Sequence, residues 1–164
     1  MVNTFLPFAN FKKCAKSLDN KRLGKQRVEA KQIINILTNS TETKGWKNHP
    51  AVLMWKGYEK ALMMYYNEMV NEWILRGFKN NMTLYNVKSA TMPWFIGIKT
   101  IHLSYQANLI RKDKNYKNIF TDVPSKYIKY TYVWPSKLNS EQISTLMANP
   151  TKILEIKDYT TIKK

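Results

Sequence analysis

The stretch PAVLMWKGYEKALMMYYNEMVNEWILRG, residues 50–77, decides the fold, because its apolar side chains would lie on nearly every side of a helix. Proline suits the first position of a helix, and glycine is typical of the residue just past its end. The apolar residues between Pro50 and Gly77 include Val52, Met54, Trp55, Tyr58, Leu62, Tyr65, Met69 and Trp73. A helix that is apolar around most of its circumference is packed against several neighbours. We therefore predict one central helix running from Pro50 to about Arg76.

Shorter helices are predicted on either side of the central one. Helical spacing and start signals predict helices over residues 11–17, 21–38, 97–112 and 141–148, the last beginning after Ser140. Residues 79–95 and the basic segment 113–126 are predicted to be irregular, YIKYTYVWP (127–135) to be an extended or rim segment, and ILEIKDYTTIKK (153–164) to be a strand or a tail. The predicted fold class is mainly α, with a single compact helical domain around a long central helix, short loops and a C-terminal extension.

The charge balance points to a polyanionic partner. The 164 residues include 27 Lys and Arg against 11 Asp and Glu, which gives a net charge of +16. Such an excess repels itself, so a polyanion is the natural reason to keep it. Nucleic acid is the first choice, an anionic membrane surface is the second, and a solubility device or a Lys-rich genome bias is the alternative without a partner.

Other bulk features narrow the class of protein. No apolar run is long enough for a membrane span, and the order of apolar and basic residues in MVNTFLPFANFKK is the reverse of a secretory signal. The lone Cys14 excludes an internal disulfide and fits a reducing compartment. The Lys, Asn and Ile content hints at an AT-rich genome, for which we expect a viral source. We expect an intracellular protein that stays with DNA in the cytoplasm, nucleoid or virion interior.

The stretch LDNKRLGKQRVEAKQ, residues 18–32, sets one carboxylate among cations. On a helical projection Glu29 shares a polar face with Arg22, Lys25 and Gln26, whereas Arg27 lies beyond the apolar stripe of Leu23, Ala30, Ile34 and Leu37. One interpretation is an ordinary Lys25–Glu29 pair one turn apart, worth a few tenths of a kcal/mol. The other is a reactive carboxylate that flanking cations hold against phosphates.

Polar residues recur at two further helix termini. Asn48 and His49 come just before Pro50, where a helix N-terminus can bind an anion, although Asn48 can equally be a simple cap. In HLSYQANLIRKDK (102–114), His102, Asn108, Arg111 and Lys112 lie on or near one helix. The two cations suit phosphate contacts or a solvated helix end.

The aromatic segment 127–135 alternates rings with lysines, a pattern that suits base stacking beside phosphate contacts. Tyr130 and Trp134 are the candidates there, and core packing is the alternative. The spacing of cysteine and histidine does not fit a zinc site, and no glycine-rich phosphate loop occurs, so we expect no metal and no cofactor.

Five stretches together resemble the pyrimidine-dimer DNA glycosylase family, which has an endonuclease V-like fold. They are NTFLPF, LDNKRLGKQRVEA, GWKNHPAVLMWKGYE, HLSYQANLIRKD and YVWP, and they occur in this order over residues 3–135. The resemblance is to the bacterial branch of the family and, more distantly, to its phage enzyme. It predicts a DNA-binding domain over residues 1–135 and leaves 136–164 as an extension.

The resemblance implies a mechanism and a set of site residues. The family uses the chain's own α-amine to form a Schiff base at the sugar C1′, followed by β-elimination, with one carboxylate as the acid/base. The spacing from Leu18 carries that carboxylate onto Glu29, and removal of Met1 would make Val2 the amine. The DNA-contact candidates are Arg22, Lys25, Gln26, Arg27, Asn48, His49, His102, Asn108, Arg111, Lys112, Tyr130 and Trp134.

Two functions are therefore carried forward. The first is a glycosylase and AP lyase that acts on damaged or abasic sites in double-stranded DNA, needs no small-molecule cofactor and does not associate with membranes. The second is a catalytically silent architectural protein that condenses or packages DNA, which the charge of +16 favours. Self-association is left open, and an RNA-binding or membrane-surface module is a weaker third alternative.

Overall fold

The computed structural model describes residues 2–42 and 45–164. Across these residues the regular structure is helical, and the only strand-like pairing is an isolated antiparallel bridge between Tyr130 and Ile162. The α-helices are α1 (Phe11–Ser17), α2 (Asn20–Leu37), α3 (Pro50–Leu53), α4 (Glu59–Leu75), α5 (Lys99–Lys112) and α6 (Ser140–Ala148). Short 3₁₀ helices cover Lys114–Asn118, Ser125–Lys129, Pro135–Lys137 and Ile156–Asp158. The predicted mainly-α class is confirmed.

The prediction of one continuous helix over residues 50–76 is wrong, because the chain breaks between α3 and α4. Gly57 has a φ of +86°, a left-handed conformation that no regular helix contains and that glycine adopts at little cost. Its backbone N–H donates to Glu59 Oε1 at 2.9 Å, so the next helix supplies a partner for the interrupted backbone. Both predicted ends hold, since Pro50 lies in the first turn of α3 and Gly77, with a φ of +86°, follows α4.

Contacts divide the chain into two compact units. The first contains the N-terminal residues through Phe5 together with Asn10–Pro93, and so holds α1 to α4. The second contains Leu6–Ala9 and Trp94–Lys164, with α5 and α6. The predicted division into residues 1–135 and 136–164 stays a prediction.

In the first unit, α4 packs against α1 and α2. Leu23, Ala30 and Ile34 of the predicted stripe on α2 are buried, while Leu37 is half-buried. Gly24 allows α2 to approach α4, because a Cβ atom there would lie 2.9 Å from the ring of Trp73. The close approach brings the polar residues of α2 near the core rather than leaving them all in solvent.

In the second unit, α5 is almost entirely buried and the segments after it pack around it. The predicted basic loop 113–126 contains a 3₁₀ helix, and Tyr116 and Phe120 from this region stack at 5.6 Å. The helix α6 begins one residue earlier than predicted. Its cap is Asn139, which forms a reciprocal capping box with Gln142.

None of the helices among the described residues combines the length and the apolar character that crossing a membrane requires.

Candidate active site on the second helix

Glu29 lies inside the first unit and not on a solvated helix face. Its exposure is 7%, although it belongs to a helix whose mean character is polar. Its Oε2 atom accepts hydrogen bonds from the backbone N–H of Asn3 at 3.2 Å and from Gln26 Nε2 at 2.9 Å. Because buried carboxylates need such partners, this arrangement holds the side chain in one position. The carboxylate therefore faces the start of the chain.

Gln26 ties the N-terminal segment to the same helix. It is fully buried, and its Nε2 atom also donates to the Asn3 carbonyl at 3.1 Å. Its Oε1 atom accepts from the Phe5 N–H at 3.0 Å and from the Tyr65 hydroxyl at 2.6 Å. The Tyr65 hydroxyl also lies 2.8 Å from the Phe5 carbonyl. We call Asn3, Gln26, Glu29 and Tyr65 the N-terminal network.

The N-terminal segment is itself buried. Val2 and Asn3 are each 3% exposed, and Thr4 is fully buried. The Thr4 hydroxyl accepts from the indole N–H of Trp55 at 2.9 Å, which adds a second attachment to the core. These contacts fix the direction of residues 2–5 along α2.

Lys25 and Arg22, the two cations that the helical projection places on the face of Glu29, lie in different settings. Lys25 Nζ lies 3.8 Å from Glu29 Oε1, and its side chain is 69% exposed. Arg22 is half-buried, and its guanidinium donates to Asp19 at 2.7 Å. Lys25 therefore combines a contact to Glu29 with a largely solvated ammonium group.

Arg27 belongs to the packing between α2 and α4. Its guanidinium lies 4.0 Å from the centre of the Trp73 ring and donates to Asn80 at 3.3 Å. Burial lowers the pKa of this guanidinium, a shift that the nearby Tyr66 partly offsets. These contacts give Arg27 a structural role independent of any DNA.

Asn48 and His49 precede α3, and the residue that caps this helix is His49 and not Asn48. His49 Nδ1 accepts from the Ala51 N–H at 3.1 Å. Its ring lies edge-on to Trp46 at 5.5 Å, and the Asn48 side chain is exposed. The imidazole thus occupies the position at which an anion would meet this short helix.

The predicted residues of α5 all lie in the second unit. The ring of His102 is buried between the Leu6 carbonyl, at 2.8 Å from Nδ1, and the Gly97 N–H, at 2.8 Å from Nε2. Burial lowers the pKa of His102, and the hydrogen bond to Leu6 partly opposes this shift. A neutral ring that carries its proton on Nδ1 satisfies both contacts.

Arg111 and Asn108 hold the aromatic segment in the same unit. Arg111 donates to the carbonyls of Ile128 at 2.9 Å and Tyr130 at 2.7 Å, and also to Asn108 Oδ1. Asn108 is fully buried, and Lys112 at the end of the helix is exposed. We call His102, Asn108 and Arg111 the α5 clamp, since each binds the backbone of another segment.

The aromatic segment is divided between core and surface. Tyr127 is fully buried and donates to the Leu154 carbonyl at 2.6 Å, and burial raises its pKa to about 12. Tyr130 and Trp134 are half-buried. Trp134 lines an open cavity of about 540 Å³ together with lysines Lys137 and Lys157. The half-buried rings are the ones that a base could reach.

Among the described residues, no group of three or more His, Cys, Asp or Glu side chains is arranged so that it could hold a metal ion.

Comparison with known families identifies the class of protein. The model of the pyrimidine dimer DNA glycosylase family matches residues 2–86, which is more than half of the chain. The chain belongs to the pyrimidine dimer DNA glycosylase family, as its sequence motifs indicated, and this makes it a DNA-binding protein of the DNA-repair glycosylase class. The matched residues include the whole N-terminal network. Comparisons with curated proteins and with solved structures gave no match.

The sequence motifs do not single out Asn3 or Tyr65 as members of the site. Asn3 and Thr4 are polar residues in the otherwise apolar stretch 2–8, and polar residues that become buried need hydrogen-bonding partners. Polar residues within an apolar stretch are therefore the sequence signal that could have identified Asn3. Tyr65 carries no such signal, because it is one aromatic residue among many on an apolar helix.

Proposed function

We propose that the protein cleaves double-stranded DNA at pyrimidine dimers and abasic sites, using the α-amine of Val2 as nucleophile and Glu29 as acid/base. The observation that carries this proposal is the hydrogen bond from the Asn3 N–H to Glu29 Oε2 at 3.2 Å. Consecutive residues are about 3.8 Å apart, so the amine of Val2 lies one residue away from the N–H that contacts that carboxylate. Removal of Met1 before the small residue Val2 releases this amine.

The chemistry uses groups that the chain itself supplies. An α-amine has a pKa near 8, about 7.7–8.0 in model peptides, so a useful fraction is neutral at pH 7. Its lone pair forms a bond to C1′, and the base leaves with the electron pair of the C1′–N bond and a proton lost by the amine. The C1′–O4′ bond then opens as O4′ takes a proton, which leaves a protonated imine. A carboxylate at the position of Glu29 can relay each of these protons.

Strand cleavage follows from the imine. Removal of a C2′ proton by the Glu29 carboxylate breaks the C3′–O3′ bond, and the 3′ phosphate leaves. The imine stabilises the intermediate carbanion, so no added cofactor is required for this step. Nearby cations such as Lys25, which is largely exposed, are suited to holding the phosphates of the strand.

Borohydride trapping tests the proposal. The untagged protein is incubated with a duplex that carries an abasic site and then with borohydride, and the cross-linked residue is located by mass spectrometry. An adduct on Val2 is the expected result. A protein that retains Met1, produced as Val2→Leu because a bulky second residue blocks removal of the initiator methionine, serves as the control and should trap poorly. An adduct on a lysine side chain, or no adduct, would contradict the assigned nucleophile.

The second candidate is an architectural protein that coats undamaged DNA, and the net charge of +16 favours it. Binding strength cannot separate the two functions, because both predict strong salt dependence. Stoichiometry can separate them. A repair enzyme turns over many lesion duplexes per protein molecule, whereas a packaging protein saturates any duplex at a fixed ratio of protein to base pairs.

A further inference from the structure

Asn3 has a side-chain donor that the folded protein leaves without a partner. Three of its polar groups are engaged: the N–H with Glu29, the carbonyl with Gln26, and Oδ1 with the Thr4 N–H at 2.7 Å. The remaining group, Nδ2, is buried and has no hydrogen bond in the part of the chain that the structure describes. The residue as a whole is 3% exposed.

The orientation of this amide is fixed by its neighbours. Because Oδ1 accepts from the Thr4 N–H, turning the amide over would bring two donors together, so Nδ2 must point away from Thr4. A buried donor without an acceptor destabilises a protein, and native structures contain few of them. A ligand that brings an acceptor would supply the missing partner. In this protein the donor belongs to Asn3, whose backbone N–H contacts Glu29.

We propose that Asn3 Nδ2 donates a hydrogen bond to the O2 carbonyl oxygen of the pyrimidine that leaves from C1′. The inference rests on the proposed function and assigns a further residue to it. When the C1′–N1 bond breaks, its electron pair passes to the base, and the resulting negative charge is shared between N1 and O2. A preorganised neutral donor at O2 stabilises that charge in the transition state.

The chemistry of an amide selects the base oxygen over the sugar oxygen. Opening of the sugar ring requires a whole proton on O4′, and an amide N–H is far too weak an acid to supply one. A delocalised pyrimidine anion needs only a hydrogen bond while it forms. Glu29 carries protons in this scheme but, as a carboxylate, it would repel the charge on O2. Asn3 therefore complements Glu29 without duplicating its role.

Rates on two substrates distinguish a hydrogen bond to the departing base from simple positioning of the α-amine. Asn3→Ala is compared with the wild-type protein under single-turnover conditions, on a duplex with a thymine dimer and on a duplex with an abasic site. The expected result is a loss of about 10²-fold in base release from the dimer, the scale of removing one such donor, with unchanged trapping at the abasic site, where no base remains to leave. The matched control Asn139→Ala, which truncates an exposed capping asparagine of α6 in the second unit, should leave both rates unchanged.

The other outcomes overturn the proposal. An equal loss on both substrates would mean that Asn3 only positions the α-amine. No loss on either substrate would mean that Nδ2 does not stabilise the departing base. If Asn3→Ala does not fold by circular dichroism, Asn3→Leu replaces it, since Leu keeps a similar volume, adds no charge and lacks the donor. Failure of the wild-type protein to trap at the abasic site would contradict the proposed function itself and is seen before any variant is made.

Discussion

The N-terminal network and the α5 clamp are both built from the residue types that active sites use, yet they use them differently. In the α5 clamp, the imidazole of His102 and the guanidinium of Arg111 form hydrogen bonds mainly with backbone groups of neighbouring segments, and Arg111 Nε is buried without a partner among the described residues. In the N-terminal network, a carboxylate and an amide hold the start of the chain, and a donor of Asn3 is left over. Each region thus leaves a buried donor without a partner in the described part of the chain. The donor of Asn3 belongs to a residue that contacts a carboxylate, whereas that of Arg111 belongs to a guanidinium bonded to backbone carbonyls, and the residue types alone do not reveal this difference.

Replacing the Glu29 carboxylate of the N-terminal network should give the largest effect, a loss of strand cleavage. Glu29→Gln keeps the size of the side chain and an acceptor for the Asn3 N–H, but it can no longer relay protons. We expect strand cleavage to fall by about 10²–10⁴-fold, the range for losing a general acid/base, with duplex affinity close to that of the wild-type protein. Gel assays of nicking and fluorescence anisotropy measure the two quantities. Cleavage that survives this change would show that Glu29 is only a structural member of the network.

Replacing Gln26 should lower the free energy of unfolding of the first unit. Gln26→Leu fills a similar volume but leaves the Asn3 carbonyl, the Phe5 N–H and the Tyr65 hydroxyl short of a partner. Each buried group without a partner costs about 1–3 kcal/mol, so we expect a loss of about 3 kcal/mol in the free energy of unfolding by urea. Tyr65→Phe, which removes only the hydroxyl, should cost about 1 kcal/mol. Equal losses for the two variants would show that Gln26 does not hold the chain start.

The α5 clamp should respond to pH through His102. Burial lowers the pKa of this ring in the folded protein, so the unfolded chain binds the proton more readily. The resulting stability is fully present above the unfolded value of about 6.5 and is lost as pH falls from there to the lower folded pKa. Melting temperatures measured from pH 7.5 to pH 5 should therefore fall more steeply for the wild-type protein than for His102→Gln. Parallel curves would show that protonation of His102 is not linked to unfolding.

The helices were largely predictable from sequence, and the partners of their polar residues were not. The apolar stripe on α2 and the proline and glycine around α3 and α4 are local signals, and they placed those helix ends correctly. The break at Gly57 was missed, because a glycine inside an apolar pattern is compatible with a continuous helix until the backbone is seen. Helical projection put Glu29 and Gln26 on a polar face and could not show that the chain start covers that face. Burial of this kind depends on contacts between residues more than twenty positions apart.

The smallest expected effect concerns Lys25, the exposed neighbour of Glu29. Lys25→Gln removes an ion pair that is 3.8 Å long and open to solvent, so the unfolding free energy should change by less than about 0.5 kcal/mol. If Lys25 contacts a phosphate, the dependence of log affinity on log salt should weaken by about one unit of slope, uniformly across duplex sequences. Lys112→Gln, at the exposed end of α5, gives the matched comparison. A change of slope for Lys25→Gln alone would indicate that bound DNA contacts the protein near the N-terminal network. Equal changes of slope for the two variants would indicate that it also contacts Lys112 at the end of α5.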